Sequence, residues 1–209
     1  MNTSYSTLSV ADLLDAFASN TPVPGGGSAA ALAGALGTAL LVMVAGLPKT
    51  RAGSPEEIAD LAEVSARLGP LLERLTSLIE EDSAAYEAVL HAMRLPKETD
   101  VEKRSRRSAI DAAMHGAIEV PMDTMRCCQQ ALRRAVPVSR GGNPSASTDT
   151  AIGIELLLAG LRGAGLNVDV NVRSLSDSAF AERVTTERAQ LEADGGADAR
   201  RAREYLLRS

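Results

Sequence analysis

The chain has 209 residues, 45% of them hydrophobic and 23% charged, with a net charge of −5. This length suits one substantial domain with its own core, and this balance offers no general attraction to nucleic acid or to an anionic membrane surface. Aromatics make up only 2%, which argues against base-stacking platforms and predicts a core of Ala, Leu, Val and Ile.

The start, MNTSYSTLSVADLLDAF, lacks the basic end and apolar centre of a signal peptide. Ser9-Val-Ala-Asp12 resembles a capping box with Asp in place of Glu and opens a short helix to about Ser19. Leu13, Leu14 and Phe17 form its apolar stripe.

Thr21–Leu47 organises the rest of the chain. Pro22 and Pro24 stiffen the approach, and Gly25, Gly26 and Gly27 follow as a bare backbone turn. Ser28 then stands where a helix begins, and capping that helix is its default role. A helix N-terminus of this kind presents free N–H groups to an anion or a polar ligand edge. Along the helix, Ala30, Gly34, Gly37 and Leu41 form a nearly smooth face, and no charge occurs between Asp15 and Lys49. A helix apolar all round is either buried or in a membrane. Its Ala and Gly content and the lack of flanking aromatics favour the central helix of a soluble bundle, with no membrane partner.

Ser54-Pro-Glu-Glu is a strong helix start: a cap, a proline at the first position and acids in the first turn. The apolar pattern then runs to Leu95, with a kink or break expected at Gly69-Pro70. A second long pattern starts near Thr99 or Asp100 and runs to about Val136, with a kink expected at Pro121. Ser139–Ser147 reads as a loop by composition. Ser147 or Thr148 caps the next helix, predicted to end near Leu166, with Gly153, Gly160 and Gly163 on small faces. Val168–Val172 alternates with polar residues and reads as an extended linker or helical turn, less readily as a strand. A charged final helix begins at Ser176–Asp177, with a break possible at Gly195-Gly196.

The pattern predicts an all-α, single-domain bundle over residues 1–209, built of long, kinked helices with small-residue faces. The Gly34/Gly37 and Gly160/Gly163 surfaces pack backbones closely and predict a homodimer built on those faces. The adjacent cysteines, Cys127 and Cys128, supply neither a staple nor a metal set, and they suit a reducing cytoplasm. His91 and His115 lack partners at ligand spacing, so no metal or other cofactor is expected.

Asp82 is the ionisable group hardest to dismiss. It shares a helical face with Ala85, Tyr86 and Val89, and Leu75 and Ile79 continue that face. A carboxylate inside an apolar stripe is costly unless paired or functional; on this ground a solvated acid and a functional acid stay equally open. Asp149 follows a cap, where an acid complements the helix dipole, and Asn143, Asn167 and Asn171 read first as turn residues.

These residues, in this order, resemble the cyclodeaminase/cyclohydrolase family of folate enzymes. The resemblance rests on Pro24-Gly-Gly-Gly-Ser28 and its helix, Glu81-Asp-Ser-Ala-Ala-Tyr86, Leu95-Pro-Lys97 and Glu119-Val-Pro121. It continues through Gly142-Asn-Pro144, Thr148-Asp149 and Gly163-Ala-Gly-Leu-Asn-Val168 with Asn171. The chain departs from the family at Pro48–Pro55, at Thr148 and at Tyr86. The resemblance implies a homodimer acting on a one-carbon unit bridging N5 and N10 of tetrahydrofolate, with that folate as substrate. It gives Asp82 the catalytic role. It assigns substrate binding to Pro24, Gly25, Gly26, Gly27, Ser28, Tyr86, Lys97, Asn143, Asp149, Asn167 and Asn171. Without a formiminotransferase half, a cyclohydrolase is favoured over a cyclodeaminase or a non-catalytic relative.

Overall fold

A computed structural model describes residues 4–48, 54–175 and 177–207. They form six α-helices: α1 (Val10–Ala18), α2 (Gly26–Gly46), α3 (Pro55–Met93), α4 (Asp100–Gly141), α5 (Ser147–Val172) and α6 (Ser178–Leu206), with short 3-10 turns at Tyr5–Thr7 and Pro144–Ala146. No strand occurs among the described residues. Most of the Pro48–Pro55 departure, and Ser176, lie outside them.

The helix starts follow local chemistry. Ser9 caps α1 through the Asp12 N–H. Ser54 with Glu57 and Thr99 with Glu102 form complete capping boxes at α3 and α4, each satisfying two donors that a helix end leaves orphaned. Asp177 caps α6 through the Phe180 N–H.

Several helix ends and interruptions depart from expectation toward more helix, while α3 stops at Met93, short of the Leu95 to which its apolar pattern runs. α3 passes unbroken through Gly69-Pro70, and α4 passes through Pro121 and Pro137 to Gly141. The predicted Ser139–Ser147 loop therefore shrinks to Gly142 and Asn143 before the 3-10 turn. Val168–Val172 is the last turn of α5, because Val168 is 1% exposed and packs into the core, which holds the segment helical. Gly195 does not break α6. A Cβ there would stand 2.5 Å from Leu161 Cδ2, so the glycine lets α6 close onto α5. Ser28 is not the cap of α2; Gly25 is, and α2 begins at Gly26 with no side-chain cap from its own neighbours.

One core runs through the long helices, with Leu41, Leu68, Leu75, Leu78, Ile118 and Leu157 among its fully buried side chains. Truncating one of these to Ala typically costs about 2–5 kcal/mol. α2 lies between α3 and α5, with α4 behind the α2/α5 pair.

The small-residue faces are used inside the chain. A Cβ on Gly37 would sit 2.6 Å from the Gly153 carbonyl oxygen, and one on Gly160 would sit 2.8 Å from that of Ala30. α2 and α5 thus cross with their backbones touching. The faces from which the sequence predicts a dimer meet each other within one protomer, because two glycine-lined helices gain most by packing together. Gly26–Gly46 and the 144–172 segment are long and apolar enough to cross a membrane, and 50% of each apolar window is buried in the protein.

Candidate active site

A cleft of ≈ 400 Å³ opens where the N-terminus of α2, the second half of α3, the middle of α4 and the C-terminal end of α5 converge. Asp82, Ala85, Tyr86 and Val89 line it from α3, on the face that helical spacing predicts, and Met93 extends the row. Gly25, Gly26 and Gly27 form the wall at the start of α2, with Pro22 and Val23 before them. Asn167 and Asn171 enter from α5, and Met114 and Ala117 from α4.

Asp82 is tied to the helix it faces. Its Oδ2 accepts the Ser28 N–H at 2.8 Å and the Ser28 Oγ–H at 3.1 Å. Ser28 is the third residue of α2, so a carboxylate from α3 satisfies a donor that a local cap would otherwise take. The Ser28 hydroxyl, fully buried, also lies 2.9 Å from the Ile79 carbonyl and 3.2 Å from Ser83 Oγ. One oxygen of Asp82 is thereby fixed, and Oδ1 rests against Gly27. A Cβ on Gly27 would fall 1.9 Å from Oδ1, so only glycine fits there. Gly26 is different, since a Cβ there would meet nothing nearer than Asn167 Nδ2 at 4.0 Å. None of the described glycines has positive φ; close approach, not backbone conformation, is what requires Gly27.

Burial pushes the Asp82 carboxyl above its ordinary range, and the hydrogen bonds from Ser28 only partly offset this. A half-buried carboxylate with a raised pKa beside open helix N–H groups is suited to proton transfer.

The two asparagines are oriented by backbone carbonyls. Asn167 Nδ2 donates to the Gly163 carbonyl at 3.0 Å, and Asn171 Nδ2 donates to the Ala117 carbonyl at 2.8 Å. The second bond has a specific cause. Proline at 121 has no N–H, so the carbonyl four residues earlier, Ala117, loses its intrahelical partner. Asn171 fills that vacancy from α5, and the proline inside α4 becomes a device for orienting a cleft residue.

The helix turn that carries Asp82 is braced from behind. Arg74 bonds Glu81 at 2.5 Å and Asp123 at 2.9 Å. Arg126 bonds Asp123, Glu119 and, across to α6, Glu187. Against the cost of its burial, Arg74 and Arg126 hold the Asp123 carboxyl low, and Arg126 holds that of Glu187 low. Glu119 of the Glu119-Val-Pro121 motif thus belongs to this brace. Cys127 and Cys128 are free and buried, and burial raises both thiols, Cys127 to about 11. They are packing residues, with Cys128 Sγ filling the space beside Gly34 and Gly160.

Five residues marked by the sequence stand outside the cleft lining. Pro24 is buried behind a cis Val23–Pro24 peptide, and Ser28 acts through Asp82. Lys97 is exposed in the turn between α3 and α4. Asn143 caps the 3-10 turn through the Ser145 N–H and donates to the Pro48 carbonyl. Asp149 sits in the first turn of α5, about 27 Å along that helix from Asn167 at 1.5 Å per residue. Conversely, the sequence reading missed Pro22 and Val23 as cleft walls, and Met93, Met114, Ala117, Val170 and Ser174. Only Met93 carried a signal, lying four residues beyond Val89 on the Asp82 face.

Fold and site together define an all-helical protein with a carboxylate held against a glycine-walled helix N-terminus. The formiminotransferase-cyclodeaminase family model matches residues 9–190, and the chain belongs to that family. A methenyltetrahydrofolate cyclohydrolase of Methylorubrum extorquens is 41% identical over 184 residues, 88% of each chain. The formimidoyltransferase-cyclodeaminase of Mus musculus is 32% identical over 164 residues, which are 77% of this chain and 30% of that one. The crystal structure of a formiminotetrahydrofolate cyclodeaminase from Thermotoga maritima shares the fold, with a TM-score of 0.86 at 24% identity and 96% of both chains covered.

Proposed function

We propose that the protein is a methenyltetrahydrofolate cyclohydrolase, adding water to the one-carbon bridge between N5 and N10 of tetrahydrofolate and opening it. The observation that carries this reading is the placement of Asp82, one oxygen fixed by Ser28 and the other against Gly27, inside a cleft of a chain 41% identical to a cyclohydrolase over 88% of both lengths. The bridging carbon belongs to an amidinium cation. A carboxylate beside it stabilises that charge and accepts the proton of the attacking water. The resulting carbinolamine collapses by breaking one C–N bond; the proton held on Asp82 passes to the departing nitrogen, the hydroxyl proton is released to solvent as the C=O forms, and the carbon is left as a formyl group on the other nitrogen. Asn167 and Asn171 supply fixed amide groups for the edge of the pterin, Tyr86 an aromatic side, and the glycines bare N–H groups. Lys97 supplies a cation for the glutamate tail.

In this reading the protein works as a cytoplasmic homodimer without a metal or other cofactor. Purified protein should accelerate the loss of near-ultraviolet absorbance of methenyltetrahydrofolate above the buffer rate; a rate equal to buffer sinks the proposal. The relatives named cyclodeaminases support a second reading, release of ammonia from the formimino derivative. Ammonia formed from that substrate, with no hydrolysis of the methenyl compound, would select it. A monodisperse monomer by light scattering at micromolar protein would remove the dimer.

A further inference from the structure

Each turnover of the reaction proposed above releases one proton, because an amidinium cation and water become an uncharged formyl amide and H⁺. The carboxylate that handles this proton faces a cleft that bound substrate occupies. The structure offers the proton a second way out, along the flank of α3.

Asp82 and Ser83 are neighbours in α3, so their side chains leave the helix about 100° apart. Asp82 lines the cleft, and Ser83 lines a separate cavity of ≈ 320 Å³ together with Glu80, Glu81 and Glu87. Ser28 reaches both from α2. Its Oγ lies 3.1 Å from Asp82 Oδ2, 3.2 Å from Ser83 Oγ and 2.9 Å from the Ile79 carbonyl. This hydroxyl has one proton for three neighbours. Turned toward Ile79 or Ser83, it presents a lone pair to a protonated Asp82. Turned toward Asp82, it accepts from Ser83.

Burial makes the path directional. Ser28 is sealed from solvent at 0% exposure, whereas Ser83 keeps 5% and borders the cavity. Among the described residues, Ser28 is the only hydrogen-bond partner of the Ser83 hydroxyl. The cavity beyond is acidic. Ser4 and Ser6 hold Glu80, Arg74 holds Glu81, and Glu87 is exposed. It is roomy and polar enough for water, and its carboxylates favour the arrival of a positive charge.

We infer that Ser28 and Ser83 form a proton exit that leads from Asp82 into this cavity. The inference rests on the cyclohydrolase reading and adds where its proton goes. Once Asp82 has protonated the departing nitrogen, its carboxylate takes the proton of the carbinolamine hydroxyl as the C=O forms. Asp82 Oδ2 passes that proton to Ser28 Oγ, Ser28 passes its own to Ser83 Oγ, and Ser83 releases its own to water in the cavity. Each O–H bond broken along the chain is matched by one formed on the next oxygen. Both hydroxyls then turn back. Ser83 never meets the substrate and acts only through Ser28 and Asp82.

The test is Ser83→Ala, which removes the outer hydroxyl and leaves the bonds between Ser28 and Asp82 in place. Far-ultraviolet helicity and cooperative unfolding confirm that the variant folds. Stopped-flow in weak buffer follows the absorbance of methenyltetrahydrofolate and a pH indicator together. In the parent, proton release should keep pace with loss of absorbance. In Ser83→Ala, the first-turnover loss of absorbance should match the parent. Proton release and kcat should fall by about 10²-fold, the low end of what a placed proton-transfer group supplies. The solvent deuterium isotope effect on kcat should grow, and Ser83→Thr, which keeps the hydroxyl, should restore both rates. Proton release that stays in step with absorbance at the parent's rate in Ser83→Ala overturns the exit. Equal slowing of both signals also overturns it, since Ser83 would then only position Asp82. A folded Ser83→Thr as slow as the alanine variant does the same. A parent that does not hydrolyse methenyltetrahydrofolate overturns the cyclohydrolase reading itself, and the exit with it.

Discussion

The two ends of the α2/α5 pair hold similar residues and do different things. At the Gly26 end, Asp82, Asn167 and Asn171 converge on a cleft. At the Gly46 end, Asn143 and Asp149 lie where helices start, and Asn143 is taken up by the Ser145 N–H and the Pro48 carbonyl. The difference comes from neighbours. A carboxylate brought across from α3 leaves the first N–H groups of α2 open and suffers burial itself. At the far end the Asn143 amide is taken up by a turn N–H and by a carbonyl of the chain following α2. Polar residues at a helix end become a site only when packing keeps water and local partners away from them.

The largest effect should come from Asp82→Asn. The amide keeps an acceptor for the Ser28 N–H, so folding should persist while turnover falls by about 10²–10⁴-fold. The raised Asp82 carboxyl binds a proton more tightly folded than unfolded. Its contribution to stability is therefore present at low pH and lost as pH rises through the folded pKa. Asp82→Asn should accordingly be as stable as the parent at neutral pH, or more so, by thermal melting. Normal turnover in the folded variant would remove Asp82 from the chemistry. The same carboxylate predicts a kcat/KM that rises with pH along an acidic limb above the ordinary carboxylate value. The limb in kcat should lie lower, because the bound amidinium favours the charged form.

The glycine pair sharpens the comparison within the cleft. Gly27→Ala must displace Asp82 and should cost about 10²-fold in kcat, the usual penalty of a misplaced group by 1 Å. Gly26→Ala has space and should stay within about threefold of the parent. Equal effects at the two positions would show that the turn, not the Asp82 contact, is what matters.

Pro121→Ala should restore the N–H partner of the Ala117 carbonyl and release Asn171. KM should rise by about tenfold, the equivalent of one hydrogen bond, with melting temperature unchanged or higher. Asn171→Ala should give the same KM shift; if Pro121→Ala leaves KM untouched, the proline does not orient the asparagine. The smallest functional effect belongs to the far end. Asn143→Ala should lower stability by about 1 kcal/mol through lost capping, with kcat and KM unchanged. A large loss of activity there would bring the far end into the site.

Much of this protein is local and was readable without coordinates. Ser54 with Glu57 and Thr99 with Glu102 mark their helix starts because capping depends on residues three apart. The Asp82, Ala85, Tyr86, Val89 face follows from helical spacing alone. Three matters were decided only by tertiary packing. Ser28 serves Asp82, not its own helix, because α3 passes the N-terminus of α2 closely enough to supply the acceptor. Gly27 is irreplaceable and Gly26 is not, because only one of them faces that carboxylate. Asn171 is held by a carbonyl that Pro121 freed, a bond between residues 54 apart in sequence. Helix ends were underestimated for the same reason. Val168 and Gly195 look like interruptions in the sequence, and burial against neighbouring helices keeps their segments helical. Short-range signals set where helices begin; which faces meet, and so which polar groups gather in a cleft, depends on contacts that no local pattern records.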